Sequence, residues 1–141
     1  MNRFHRMLTS CPRALLTGLL GLCLAPNVGA AGTTPAQQLK DYAQQAGRAP
    51  DPAQGREFFN TTHGQEWRCA SCHGAEPTQA GRHAATGKAI GPLAPAFNAE
   101  RFSDATKTEK WFRRNCNDVV GRACTPAEKA NVLSWLLTLK P

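Results

Sequence analysis

Past Met7 this chain contains no methionine; Met1 and Met7 are the only two. Whatever metal chemistry the later residues carry must therefore do without a methionine thioether. No acidic residue precedes Asp41. No apolar run approaches the roughly 20 residues that span a bilayer; the longest, Ala14 to Ala25, has twelve. There are no internal repeats and no low-complexity tracts. No phosphate-binding glycine loop, activated nucleophile or paired catalytic carboxylates can be found. These absences exclude a helical membrane protein, a solenoid, and a nucleotide-driven or hydrolytic enzyme of the common kinds.

The amino end has the features of an export signal. Arg3, Arg6 and Arg13 make it positive, the twelve-residue apolar run follows, and Pro26 breaks that run. Val28-Gly29-Ala30 supplies small residues where a signal peptidase cuts. Residues 1–30 are read as a signal peptide cleaved after Ala30 or Ala31, and residues 31–141 as one domain. Leu22 is too bulky to make Cys23 a lipoprotein site, so no membrane anchor is expected after cleavage. Losing the three arginines leaves 14 basic against 10 acidic residues, a net charge of +4 instead of +7. The basic residues are scattered apart from Arg113-Arg114, which does not make a nucleic-acid footprint. The expected location is the periplasm.

The chemistry is concentrated in Cys69-Ala-Ser-Cys72-His73. Cys-x-x-Cys-His is the attachment sequence of a c-type haem. Two thiols at this spacing can form thioethers with the two vinyl groups of one porphyrin, and the adjacent imidazole becomes the proximal iron ligand. A thioredoxin-like pair would want a βαβ pattern, which is missing. A structural zinc site would want a second pair at close spacing, and Cys116 and Cys124 are eight apart. One covalent haem c is therefore expected. Signal cleavage removes Cys11 and Cys23, so Cys116 and Cys124 remain as an even pair in an oxidising compartment. A disulfide is the expected outcome, with two free thiols as the alternative.

Helix signals frame the motif. Thr34-Pro35 opens a helix with a stripe of Leu39, Tyr42, Ala43 and Ala46, closed by Gly47. Asp51-Pro52 repeats the start, and Phe58 and Phe59 follow, expected near the haem. Thr61 to Arg68 reads as a polar loop, and Gly74 to Asn98 as a long irregular segment wrapping the porphyrin. Ser103 or Asp104 caps a helix through Trp111 to about Asn115 or a few residues beyond. Thr125-Pro126-Ala127-Glu128 is a capping box. It opens a final amphipathic helix containing Val132, Leu133, Trp135, Leu136 and Leu139. The expected fold is all-α and class I cytochrome c-like: about four helices and long loops wrapped around one covalent haem.

With methionine gone, the sixth iron position is open to His63, His83, a lysine, a weak oxygen ligand or nothing. His63 and His83 lie in loops, where solvated histidines are common. Asn115 follows Trp111 by four residues and Phe112 by three, which sets its amide beside an aromatic face. An amide near apolar surface needs a partner, and iron could be one. Capping the helix end is the competing role for Asn115.

The segment Lys110-Trp111-Phe112-Arg113-Arg114-Asn115-Cys116-Asn117, with Gly121-Arg122 and Cys124-Thr-Pro-Ala-Glu-Lys129, closely resembles the sphaeroides haem protein family. Thr86-Gly87-Lys88, Pro92-Leu93-Ala94-Pro95, Arg101-Phe102 and Pro35 to Gly74 are similar too; the stretch Thr61 to Arg68, with His63, falls outside the match. The resemblance implies a class I cytochrome c fold. It implies that Asn115, before the first non-haem cysteine, binds ferric iron, and that Cys116 and Cys124 form a disulfide. It also implies a dihaem cytochrome c and a membrane cytochrome b as redox partners. A neutral amide oxygen is a hard, weak ligand that ferric iron holds better than ferrous iron. Reduction should then free the site for a diatomic gas, nitric oxide or oxygen.

Three functions compete on these residues. The first is a redox-switched, gas-binding cytochrome. The second is a plain electron carrier. The third is a haem enzyme acting on oxygen, nitric oxide or peroxide, for which His63, Arg113 and Arg114 are the only suggestions. The first is favoured.

Overall fold

A computed structural model describes residues 32–141. The signal-peptide expectation, with Met1, Met7, Cys11 and Cys23, lies outside these residues. Helix α1 spans Pro35–Ala46, α2 Pro52–Asn60, α3 Cys69–His73, α4 Ala105–Val120 and α5 Pro126–Leu136. Strands β1, Gly81–Arg82, and β2, Ala89–Ile90, form an antiparallel pair.

The helix starts follow local chemistry. Thr34 Oγ1 accepts from the Gln37 N–H, Asp51 from Ala53 and Gln54, Asp104 from Lys107, and Thr125 from Glu128. Each bond satisfies a donor the first turn leaves free. Gly47 and Gly121 end α1 and α4 in the left-handed region, at φ 66° and 75°.

Helices α1 and α2 both pack on α5. At the α2–α5 crossing a Cβ on Gly55 would strike the backbone of Asn131 and Val132. Asn131 also accepts the Asp51 N–H at 2.8 Å, fixing the start of α2 against α5. Phe59 stacks beside Trp135, ring centroids 5.1 Å apart, in a core with Val132 and Leu136. A second core joins Tyr42 to Ala130 and Leu133, and Phe102 packs against both. Phe102 holds φ at 58°, an uncommon value for a bulky residue, and its carbonyl accepts from Gln38 Nε2 at 2.8 Å.

The architecture is the expected helical one, with three differences. There are five helices among the described residues, not about four, because the haem motif itself forms α3. The segment after the motif holds the β1–β2 hairpin. Helix α5 is not amphipathic: every residue from Ala130 to Leu136 is buried, and Leu139 lies beyond its end. Packing by α1 and α2 together removes the exposed face that an amphipathic helix would keep.

Candidate haem site

Cys69, Cys72 and His73 stand at i, i+3 and i+4 of α3, so they share one side of a single turn. Arg68 N–H donates to Ser71 Oγ at 3.1 Å, and Gly74 ends the turn at φ 79°. Cys69 packs against the Phe59 core. Cys72 Sγ accepts the Ala84 N–H at 3.2 Å. Gly81 lies so close to the Cys72 carbonyl that a Cβ there would collide, which seats the hairpin on α3.

The His73 ring lies 6.1 Å from the Phe59 ring, centroid to centroid. Burial, with the Arg101 guanidinium adding to it, lowers the His73 pKa to about 4. The imidazole is neutral at pH 7, the form that binds a metal. Arg101 is itself tethered, its Nε donating to the Pro92 carbonyl and its guanidinium NH2 to the Gly91 carbonyl, both at 2.9 Å. Burial pushes the Cys69 thiol up to about 11. Among the described residues, no three His, Cys, Asp or Glu side chains cluster so as to hold a metal ion by themselves.

These residues fit haem c. Both motif cysteines are free and half-buried, whereas Cys116 and Cys124 are bonded to each other, their Cα atoms 5.6 Å apart. A neutral imidazole adjoins the thiols. Phe58, Phe59 and Leu93 supply apolar surface beside them.

Asn115 lies inside α4, whose C-cap is Gly121, so helix capping is not its role. Thr108, Phe112, Cys116 and Val119 form the inward stripe of α4. Phe112 meets the Tyr42 ring edge-on at 5.8 Å and Phe102 at 6.3 Å. Glu109 accepts from Tyr42 Oη at 2.6 Å and Lys129 Nζ at 2.7 Å, joining α4 to α1 and α5. Asn115 sits on the adjoining flank with an exposed side chain. Its neighbour Trp111 is 42% exposed, with Arg114 5.8 Å from its ring centroid. Helical spacing makes Trp111 and Asn115 neighbours but does not say what covers them.

The two loop histidines are engaged locally. His63 Nε2 contacts the Phe58 carbonyl at 2.9 Å, and its ring stacks on Phe58 at 4.3 Å. His83 Nδ1 accepts the Thr86 N–H at 3.3 Å. Two groups the sequence reading did not assign to the site are Arg101 and Ala84. Arg101-Phe102 was visible only as a matching dipeptide, and nothing local foretold the bond from Ala84 to Cys72.

A family model described as a domain of unknown function (DUF1924) matches residues 45–136. The chain is 44% identical over 122 residues to cytochrome c-type protein SHP of Cereibacter sphaeroides, covering 84% of this chain and 94% of that protein. It is 47% identical over 94 residues to cytochrome c'' of Methylophilus methylotrophus, covering 64% and 65%. Among solved structures, oxidised SHP, described as an oxygen-binding cytochrome c, superposes with a TM-score of 0.72 at 46% identity. That match covers 77% of this chain and 99% of the other. The solution structure of cytochrome c'', described as bearing on haem-ligand detachment, gives a TM-score of 0.68 at 37% identity, covering 76% and 94%.

Proposed function

The chain belongs to the SHP family of monohaem c-type cytochromes, and we propose that it is an exported, redox-switched binder of a diatomic gas. Haem c, when bound, would supply a one-electron couple and a site for oxygen or nitric oxide. His73 would hold the iron, and Cys69 and Cys72 would fix the porphyrin covalently, keeping the cofactor in place through any change of its other ligand.

Asn115 is the proposed distal ligand of the ferric state. The carrying observation is its place on α4: an uncapping, outward amide held between two anchors. Glu109 and Phe112 fix the helix before it, and the Cys116–Cys124 bond fixes it immediately after. A carboxamide has no proton to lose near neutral pH, so its hold depends mainly on iron charge. It competes well in the ferric state and poorly in the ferrous state. The likeness to an oxygen-binding cytochrome c and to a protein studied for haem-ligand detachment supports this reading. Electrons would come from a redox partner, a dihaem cytochrome c or a membrane cytochrome b.

Optical titration of wild-type and Asn115→Ala holoprotein tests the assignment. The wild-type ferrous protein should bind CO. The variant should bind azide in the ferric state more tightly, by tenfold or more (~1.4 kcal/mol or more), because the competing oxygen is gone. His63→Ala and His83→Ala should change neither property. A ferric spectrum indifferent to Asn115 but altered by either histidine substitution would make the protein a histidine-ligated electron carrier.

A further inference from the structure

We infer that Trp111 is the wall of the haem pocket on the Asn115 side and sets the size of the ligand admitted there. The inference rests on the reading that Asn115 faces the iron. Trp111 is the only large hydrophobic side chain exposed among the described residues. It stands one turn before Asn115, at i and i+4, so the two side chains project from the same flank of α4.

The orientation of that flank is not free. Phe112 packs among Tyr42 and Phe102, Glu109 is bonded to α1 and α5, and Cys116 is tied to Cys124. These three contacts hold the rotation of α4 about its axis. If the amide of Asn115 reaches iron, the indole one turn away must lie over or beside the same porphyrin face. A porphyrin is a large apolar plate, and an indole is suited to cover it by offset stacking. The Arg114 guanidinium lies 5.8 Å from the centroid of the same ring, within cation–π distance.

An indole is stiff, with only two side-chain torsions. Beside an iron position vacated by Asn115, it would leave room for a diatomic molecule and obstruct a longer one. Steric access over the iron is a recognised determinant of what a haem protein binds. Trp111 is on this account a specificity-determining residue, distinct from the ligand itself.

Two measurements on holoprotein test it. The first is NMR of protein labelled with ¹⁵N at the indoles, in the ferrous–CO form. Loss of one of the three indole N–H signals in Trp111→Phe identifies Trp111. Its resonance should be displaced by the porphyrin ring current relative to the unfolded protein; an undisplaced resonance overturns the inference. The second is the ratio of n-butyl isocyanide to CO affinity. Trp111→Ala should raise this ratio about tenfold or more, since removing a few heavy atoms from a close pocket is worth that much in discrimination. Trp111→Phe, which keeps an aromatic wall, should raise it less. A ratio that stays within twofold of wild type in both variants overturns the size role. A ferrous protein that refuses CO because a protein ligand stays bound would sink the Asn115 assignment separately. That protein would be low-spin and diamagnetic, so the indole shift would still judge Trp111.

Discussion

Replacing Cys116 and Cys124 together by alanine should both destabilise the fold and loosen the distal site. The two residues are eight apart in sequence. Constraining a loop of that length in the unfolded chain is worth about 2.5 kcal/mol in the chain-entropy account. Both cysteines are buried, at 5% and 8% exposure, so alanine also removes a little packing and introduces no polar group. For a domain of this size the loss should lower the midpoint of thermal unfolding by on the order of 10 °C. The consequence for function comes from position. Asn115 lies between an upstream anchor, Glu109 with Phe112, and a downstream one, the disulfide. Removing the downstream anchor leaves Val119 and the Gly121 turn to hold the end of α4. Helix ends open locally at less cost than the whole fold.

The assay is denaturant unfolding of holoprotein followed by haem absorbance, alongside ferric azide titration. Substitution is preferable to a thiol reductant, which would also reduce the iron. Azide affinity should rise severalfold in the double variant. Unchanged stability would refute the entropic argument. Lower stability with unchanged azide affinity would refute the claim that the disulfide helps position Asn115.

Two further substitutions test the frame that carries α4. The Glu109 carboxyl is held below the ordinary 4.5: burial opposes the charge, but the Lys129 and Tyr42 hydrogen bonds outweigh it. A depressed carboxyl pKa lends stability above 4.5 that is lost as pH falls below it. Glu109→Gln should therefore reduce stability near pH 7 by about 1 kcal/mol, a modest figure because the side chain is half exposed. The difference from wild type should shrink in urea unfolding near pH 3; a difference independent of pH would count against the ion pair. At the α2–α5 crossing, Gly55→Ala should destabilise the protein. Alanine gains about 1 kcal/mol in helix propensity, but the new Cβ meets the Asn131 carbonyl and must part the helices, at about 1–3 kcal/mol. A more stable variant in urea unfolding would show that the crossing yields easily.

Features decided within a few residues were legible in the sequence. Thr34, Asp51, Asp104 and Thr125 cap their helices as expected because a cap bond reaches only two or three residues ahead. The haem attachment sequence is legible for the same reason: two thiols and an imidazole on one turn carry their geometry with them. Helix α3 itself escaped notice because five residues are too few to display a period. The burial of α5 escaped because two helices arriving from earlier in the chain cover it, and neither leaves a mark in its sequence. What covers Trp111 was not legible either, since i and i+4 spacing reports neighbours and not cover.

The proposed distal ligand, Asn115, combines both kinds of information. Its partner residues, Cys69 to His73, lie more than forty positions earlier in the chain. No local pattern can say whether α4 meets the haem face, or with which residue. That depends on the register fixed by Phe112 against Tyr42, Glu109 against Lys129, and Cys116 against Cys124. The absence of methionine narrows the chemistry without choosing a position. His63 turns its Nε2 to the Phe58 carbonyl, and His83 is occupied within its own turn. The three contacts that fix α4 leave Asn115 and Trp111 together on one flank. A ligand and a wall supplied by one rigid helix would move together. Loosening that helix should therefore alter ferric ligand competition and ligand size selection in the same variant, whereas a loop histidine ligand would let the two change independently.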